Sequence, residues 1–228
     1  MFRSMPFGCL SFVLLAVLVI LFPLFLANAI AGALGKLGLS PALSLVVIVS
    51  MFVGGLVNIP VKRIPRVMSV ETEPLGLFGM QRTFPGWMRR PSYTVIAVNV
   101  GGCLIPCLIA AYELARIAEH GSTALALTLV AAGINTAVCF WLARPVPNVG
   151  IVLPALAPAF VAAACAFIFV RDFAPPVAFT AGVLGPLLGA DLLNLPRIGR
   201  TSAGMASIGG AGTFDGIVLS GLVATLLA

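Results

Sequence analysis

Two aspartates stand inside otherwise apolar sequence. Asp191 lies in Leu187-Leu188-Gly189-Ala190-Asp191-Leu192-Leu193-Asn194-Leu195, and Asp215 in Gly209-Gly210-Ala211-Gly212-Thr213-Phe214-Asp215-Gly216-Ile217. Carboxylates in such a setting are costly and mark functional sites. Two of them close together cannot both ionise easily, so one keeps its proton. The ionised partner can then deprotonate a water while the protonated one polarises a peptide carbonyl. That is diaspartyl hydrolysis, and it needs neither a metal nor a cofactor. Paired membrane acids also serve proton or ion transport, or cap and pair within a helix bundle as a non-catalytic assembly element. Other chemistry is sparsely represented. His120 is the single histidine, and Cys103 and Cys107 share a helix face with no matching Cys or His pair elsewhere, so reduced, buried thiols are expected and no metal site.

The composition says where these residues must work. Of 228 residues, 61% are hydrophobic and 9% are charged, and the mean hydropathy is +1.15. A globule this poor in charge could not cover its own surface, which excludes a soluble enzyme or a disordered chain. An all-α, polytopic transmembrane helix bundle is expected, occupying residues 1–228 as one membrane domain. Seven apolar runs fall at roughly 9–30, 42–59, 93–112, 122–143, 149–170, 174–195 and 204–228, the second short and the last interrupted. Residues 60–92 form the one substantial loop, which is basic and carries Pro60, Pro65, Pro74, Pro85 and Pro91. The first run also resembles a signal peptide, with Arg3 ahead of it and Ala27-Asn28-Ala29 near its end. Its apolar stretch exceeds a usual signal core, so a retained helix is expected.

Basic residues set the orientation. With the N-terminus cytoplasmic, Arg3, Lys62, Arg63, Arg66, Arg82, Arg89, Arg90, Arg144, Arg197 and Arg200 fall inside, and Lys36, Arg116 and Arg171 outside. Seven spans then leave the C-terminus outside, in a bacterial inner membrane. The same bias accounts for the net charge of +6 without a nucleic-acid partner. Glu71 and Glu73 fall in the cytoplasmic loop, and Glu113, Glu119 and Asp172 in short external loops. Only Asp191 and Asp215 remain within spans. They fall in the cytoplasmic half of two consecutive antiparallel helices, at matched depth. Asn99, Asn135 and Asn194 map to the same half. With Gly189, Gly212, Thr213 and Gly216 they are expected to line a polar cavity, since polar groups in lipid must find one another or water. The implied partners are the lipid bilayer and a transmembrane peptide substrate.

The Gly189–Leu195 block, the Gly209–Ile217 block, Asn99-Val100-Gly101-Gly102 and Ile105-Pro106 resemble the signature of an uncharacterised family of prokaryotic multi-pass membrane proteins. A remoter similarity is to the intramembrane aspartyl proteases of the presenilin and signal-peptide-peptidase class. These carry one catalytic aspartate on each of two consecutive helices, the second in a Gly-x-Gly-Asp motif. The resemblance implies that Asp191 matches the first and Asp215 the second. Ala190 stands where that class has tyrosine, and Phe214 where it has glycine. Pro154-Ala155-Leu156 is similar to its Pro-Ala-Leu motif but precedes both aspartates.

Overall fold

The computed structural model describes residues 7–70, 88–146, 150–154, 156–197, 204–210 and 216–228. Among the described residues, its body is the expected bundle of seven α-helices. They are α1 (Phe7–Lys36), α2 (Pro41–Gly55), α3 (Ile105–His120), α4 (Ser122–Leu142), α5 (Leu156–Phe169), α6 (Ala174–Gly185) and α7 (Gly216–Leu227). Helix starts follow local chemistry. Ser40 caps α2 by accepting a bond from the Leu43 amide at 3.4 Å, with Pro41 in the first turn. Prolines also occupy the first turn of α6, where no amide partner is lost.

Helix α6 runs through the middle, packed by α3, α4, α5 and α7. Its residues Pro176 to Val183 are all buried, the mark of a helix apolar on every side. Small residues let α7 approach it. A Cβ on Gly182 would lie 2.9 Å from the Cα of Gly221, and one on Gly221 would lie 2.7 Å from the Val183 side chain. The outer faces are apolar instead of charged. Leu45, Phe52, Leu108, Trp141, Phe160 and Ile168 are all exposed, as suits contact with lipid. Four helical runs, Val19–Lys36, Val100–His120, Ser122–Leu142 and Arg171–Arg197, are long and apolar enough to cross a membrane; α2, α5 and α7 are shorter apolar helices.

Strands are added to this bundle. β1 (Asn58–Val70) and β2 (Met88–Asn99) form an antiparallel hairpin, and β5 (Gly204–Ile208) pairs in parallel with the Thr94–Val98 part of β2. The parallel pairing is reached through a crossover that includes α3 to α6. A short ribbon joins β3 (Arg144–Val146) to β4 (Gly150–Val152). Several expected boundaries therefore move. Much of the basic segment 60–92 is strand, with 71–87 outside the described residues. The third helical run begins at Val100 instead of 93 and ends at His120 instead of 112. Tyr93–Asn99 is apolar and β-branched, and hydropathy alone does not separate such a strand from a span. The last helix begins at Gly216 instead of 204, and the fifth at Leu156 instead of 149.

One consequence concerns Glu113. It was expected in an external loop, but it sits within α3 and its side chain is fully buried. Arg116 meets it at 3.0 Å and also donates to the Leu37 carbonyl beyond the end of α1. The Lys36 ammonium donates to the Leu226 carbonyl at 2.8 Å, and His120 stacks on Phe173 with ring centres 4.7 Å apart. These contacts gather the ends of α1, α3 and α7 and the start of α6 at one pole of the bundle. The hairpin, the end of α2 and the start of α3 lie at the other.

Candidate functional site

The hairpin pole holds most of the sequence-predicted residues. It is built from glycines and asparagines that replace side-chain bulk with backbone contact. Just past Asn99 the chain enters a π-helical turn, Val100–Leu104, before α3. Asn99 is buried and caps this turn, its Oδ1 accepting from the Gly102 amide at 2.7 Å. Its Nδ2 donates to the Gly55 carbonyl at 2.7 Å and to Asn58 Oδ1 at 3.2 Å. Ser207 Oγ donates to that same Asn58 oxygen at 2.5 Å. One amide thus ties the end of α2, the start of β1 and the start of α3, and through Asn58 reaches β5.

Backbones touch at this knot. A Cβ on Gly101 would fall 2.0 Å from the Met51 carbonyl oxygen, and one on Gly102 would fall 1.9 Å from the Gly209 carbonyl oxygen. Gly209 itself has φ +83°, which glycine alone adopts without strain. The Asn99–Gly102 motif and the Gly209 block, far apart in sequence, are therefore in direct contact. Asn58 and Ser207 were not singled out from sequence. The only available signal was the glycine pair beside Asn99, whose partner segments nothing in the chain reveals.

The second π-helical turn, Pro186–Leu192, continues α6 and carries Asp191. Single π-turns inside helices occur often at functional sites. The turn bears an i to i−5 bond, from the Leu193 amide to the Leu188 carbonyl at 3.0 Å. Asn194 stabilises it, with Nδ2 donating to the Gly189 carbonyl at 2.9 Å while Oδ1 accepts from Arg197 at 2.9 Å. Gly189 lets the turn press on α4, since a Cβ there would lie 2.2 Å from the Thr136 carbonyl oxygen and 2.8 Å from Cys139 Cβ. Asp191 is partly buried. Behind Cys139, Asn135 is fully buried. It donates to the Ala181 carbonyl at 2.8 Å and fills the space over Gly185.

The expected residues thus separate into two knots at one pole: Asn99 in the first, and Asn135, Gly189, Asp191 and Asn194 in the second. The three asparagine amides engage backbone carbonyls of their own bundle. Gly216 opens α7, near Leu153. Asp215, Gly212 and Thr213 lie outside the described residues. Helix α7 packs against the Pro186–Leu192 turn as well as α6. Among the described residues, no three His, Cys, Asp or Glu side chains gather into a metal-binding group.

A family model for DUF1614, proteins of unknown function, matches residues 52–227. The chain belongs to this family. No curated protein and no solved structure is detectably similar to it. The DUF1614 match leaves out α1 and most of α2 but takes in both π-turns, the hairpin, β5 and α7. Apart from Met51, the residues named in both knots lie in the DUF1614 match.

Proposed function

We propose that this DUF1614 protein is an intramembrane hydrolase in which Asp191 and Asp215 cleave peptide bonds of membrane segments. The observation that carries the reading is the setting of Asp191. Asp191 belongs to a π-turn that continues the largely buried central helix, and Asn194 braces that turn through the Gly189 carbonyl. That turn packs against α7, whose first residue follows Asp215 directly. In the proposed reaction one aspartate is ionised and takes a proton from water as its oxygen attacks the peptide carbonyl carbon. The other, protonated, donates a hydrogen bond to the carbonyl oxygen. The C–N bond then breaks as the leaving nitrogen takes up a proton, giving an acid and an amine.

Asn135, Asn194 and Gly189 act as positioning residues for the Asp191 turn. Asn99 caps the turn whose Gly102 meets the Gly209 backbone. The test uses purified protein with a panel of transmembrane peptides. Asp191→Asn and Asp215→Asn are each expected to lower cleavage by about a hundredfold or more while thermal unfolding stays near that of the parent. Cleavage unaffected by either change would refute the pair. So would proton or ion flux into liposomes that both changes abolish, without any cleavage.

A further inference from the structure

The hairpin has two unequal halves. Its root, Thr94–Val98 of β2, is flanked by β1 on one side and β5 on the other. Thr94, Ile96 and Ala97 are buried there. Its outer half pairs Pro65–Val70 with Met88–Tyr93 alone, and no third strand among the described residues joins it. An isolated two-stranded ribbon is marginal in water, so this half calls for a surface to rest on.

Its residues say which surface. Lys62, Arg63, Arg66, Arg89 and Arg90 occupy the two strands, and neither strand holds an acidic residue. Lys62 and Arg63 are exposed. In the register Arg66 stands opposite Ser92, Arg90 opposite Met68 and Arg89 opposite Ser69. Ile64, Val67, Met68 and Val70 stand among these bases along β1, and Tyr93 is 57% exposed where the outer half begins. A basic ribbon with aromatic and apolar side chains suits a bilayer interface. Its attachment favours the same place. β1 leaves the apolar helix α2 two residues after its end, and β2 runs straight into the membrane-length run Val100–His120.

We infer that the outer half of the β1–β2 hairpin docks on anionic lipid headgroups of the leaflet at its own pole, its bases pairing with phosphates. The surface is independent of the hydrolase reading. Each base near an anionic leaflet contributes about 1 kcal/mol, so three arginines together shift docking by roughly a hundredfold.

The test compares full-length protein in bilayer discs of phosphatidylcholine with discs holding about a third phosphatidylglycerol, followed by amide hydrogen exchange. The expected result is exchange in 66–70 and 88–93 slowed roughly a hundredfold by the anionic lipid and restored at about 1 M salt. Replacing Arg66, Arg89 and Arg90 together by Gln is expected to abolish the slowing, and replacing them by Lys to retain it. Amides of 94–98 report in every sample that the three-stranded root is folded. Equal exchange in both discs overturns the inference, as does slow exchange already in detergent without lipid. Protection absent in both discs but produced by polyglutamate would replace the lipid by an acidic protein partner.

Discussion

The two poles of this bundle hold their chains together by opposite means. At the far pole, long charged side chains reach across gaps. Arg116 spans from buried Glu113 to the Leu37 carbonyl, with its guanidinium 5.5 Å from the Phe173 ring, and Lys36 covers the Leu226 carbonyl. Cations at helix C-termini satisfy orphan carbonyls and oppose the helix dipole. At the hairpin pole the gaps are closed by removing side chains, so that Gly101, Gly102, Gly189 and Gly209 bring backbones into contact. Short asparagine amides then engage the carbonyls of the π-turns and helix ends. A charged clamp tolerates some movement of its partners, whereas a backbone contact without a Cβ does not. The pole carrying Asp191 is therefore the one whose geometry is set most tightly.

That contrast can be broken by substitution. The largest effect is expected at Gly102. An added Cβ meets the Gly209 carbonyl, which is backbone and cannot rotate away. Gly102→Ala should cost about 3 kcal/mol or more by overpacking, seen as loss of folded protein or a large drop in unfolding temperature in detergent. Arg116→Ala is expected to follow, at about 3 kcal/mol, because it leaves the Glu113 carboxylate buried without its partner. Arg116→Ala combined with Glu113→Gln should recover part of that loss. Cleavage per folded molecule should stay near the parent value, because the clamp lies at the pole away from Asp191. A specific loss of cleavage with full stability would show instead that the poles are coupled. The smallest effect is expected at Gly133, where a Cβ meets nothing within 4 Å on an exposed helix face. Gly133→Ala should stabilise by roughly 0.5–1 kcal/mol through helix propensity, read as a small rise in unfolding temperature.

Legibility in the sequence followed the same division. The isolation of Asp191 in apolar sequence was plain, as was the polar character of Asn99, Asn135 and Asn194. Their partners were not, because Ala181, Gly55 and Gly189 enter as backbone carbonyls, which every residue carries alike. Glu113 was misread for a related reason. Arg116 beside it looks like a solvated loop charge, and only the packing of α1 and α3 turns the two into a buried pair. The hairpin was hidden because Tyr93–Asn99 satisfies a span by hydropathy and a strand by β-branching, and the choice rests on its partners β1 and β5.

A helical membrane bundle was legible from composition and run length, because transfer of side chains into lipid is a local property that sums along the chain. The central place of α6, the two π-turns and the knot between Asn99–Gly102 and Gly209 were decided by tertiary structure. These features depend on which backbones approach within a Cβ's width of each other, and no sum over single residues contains that distance.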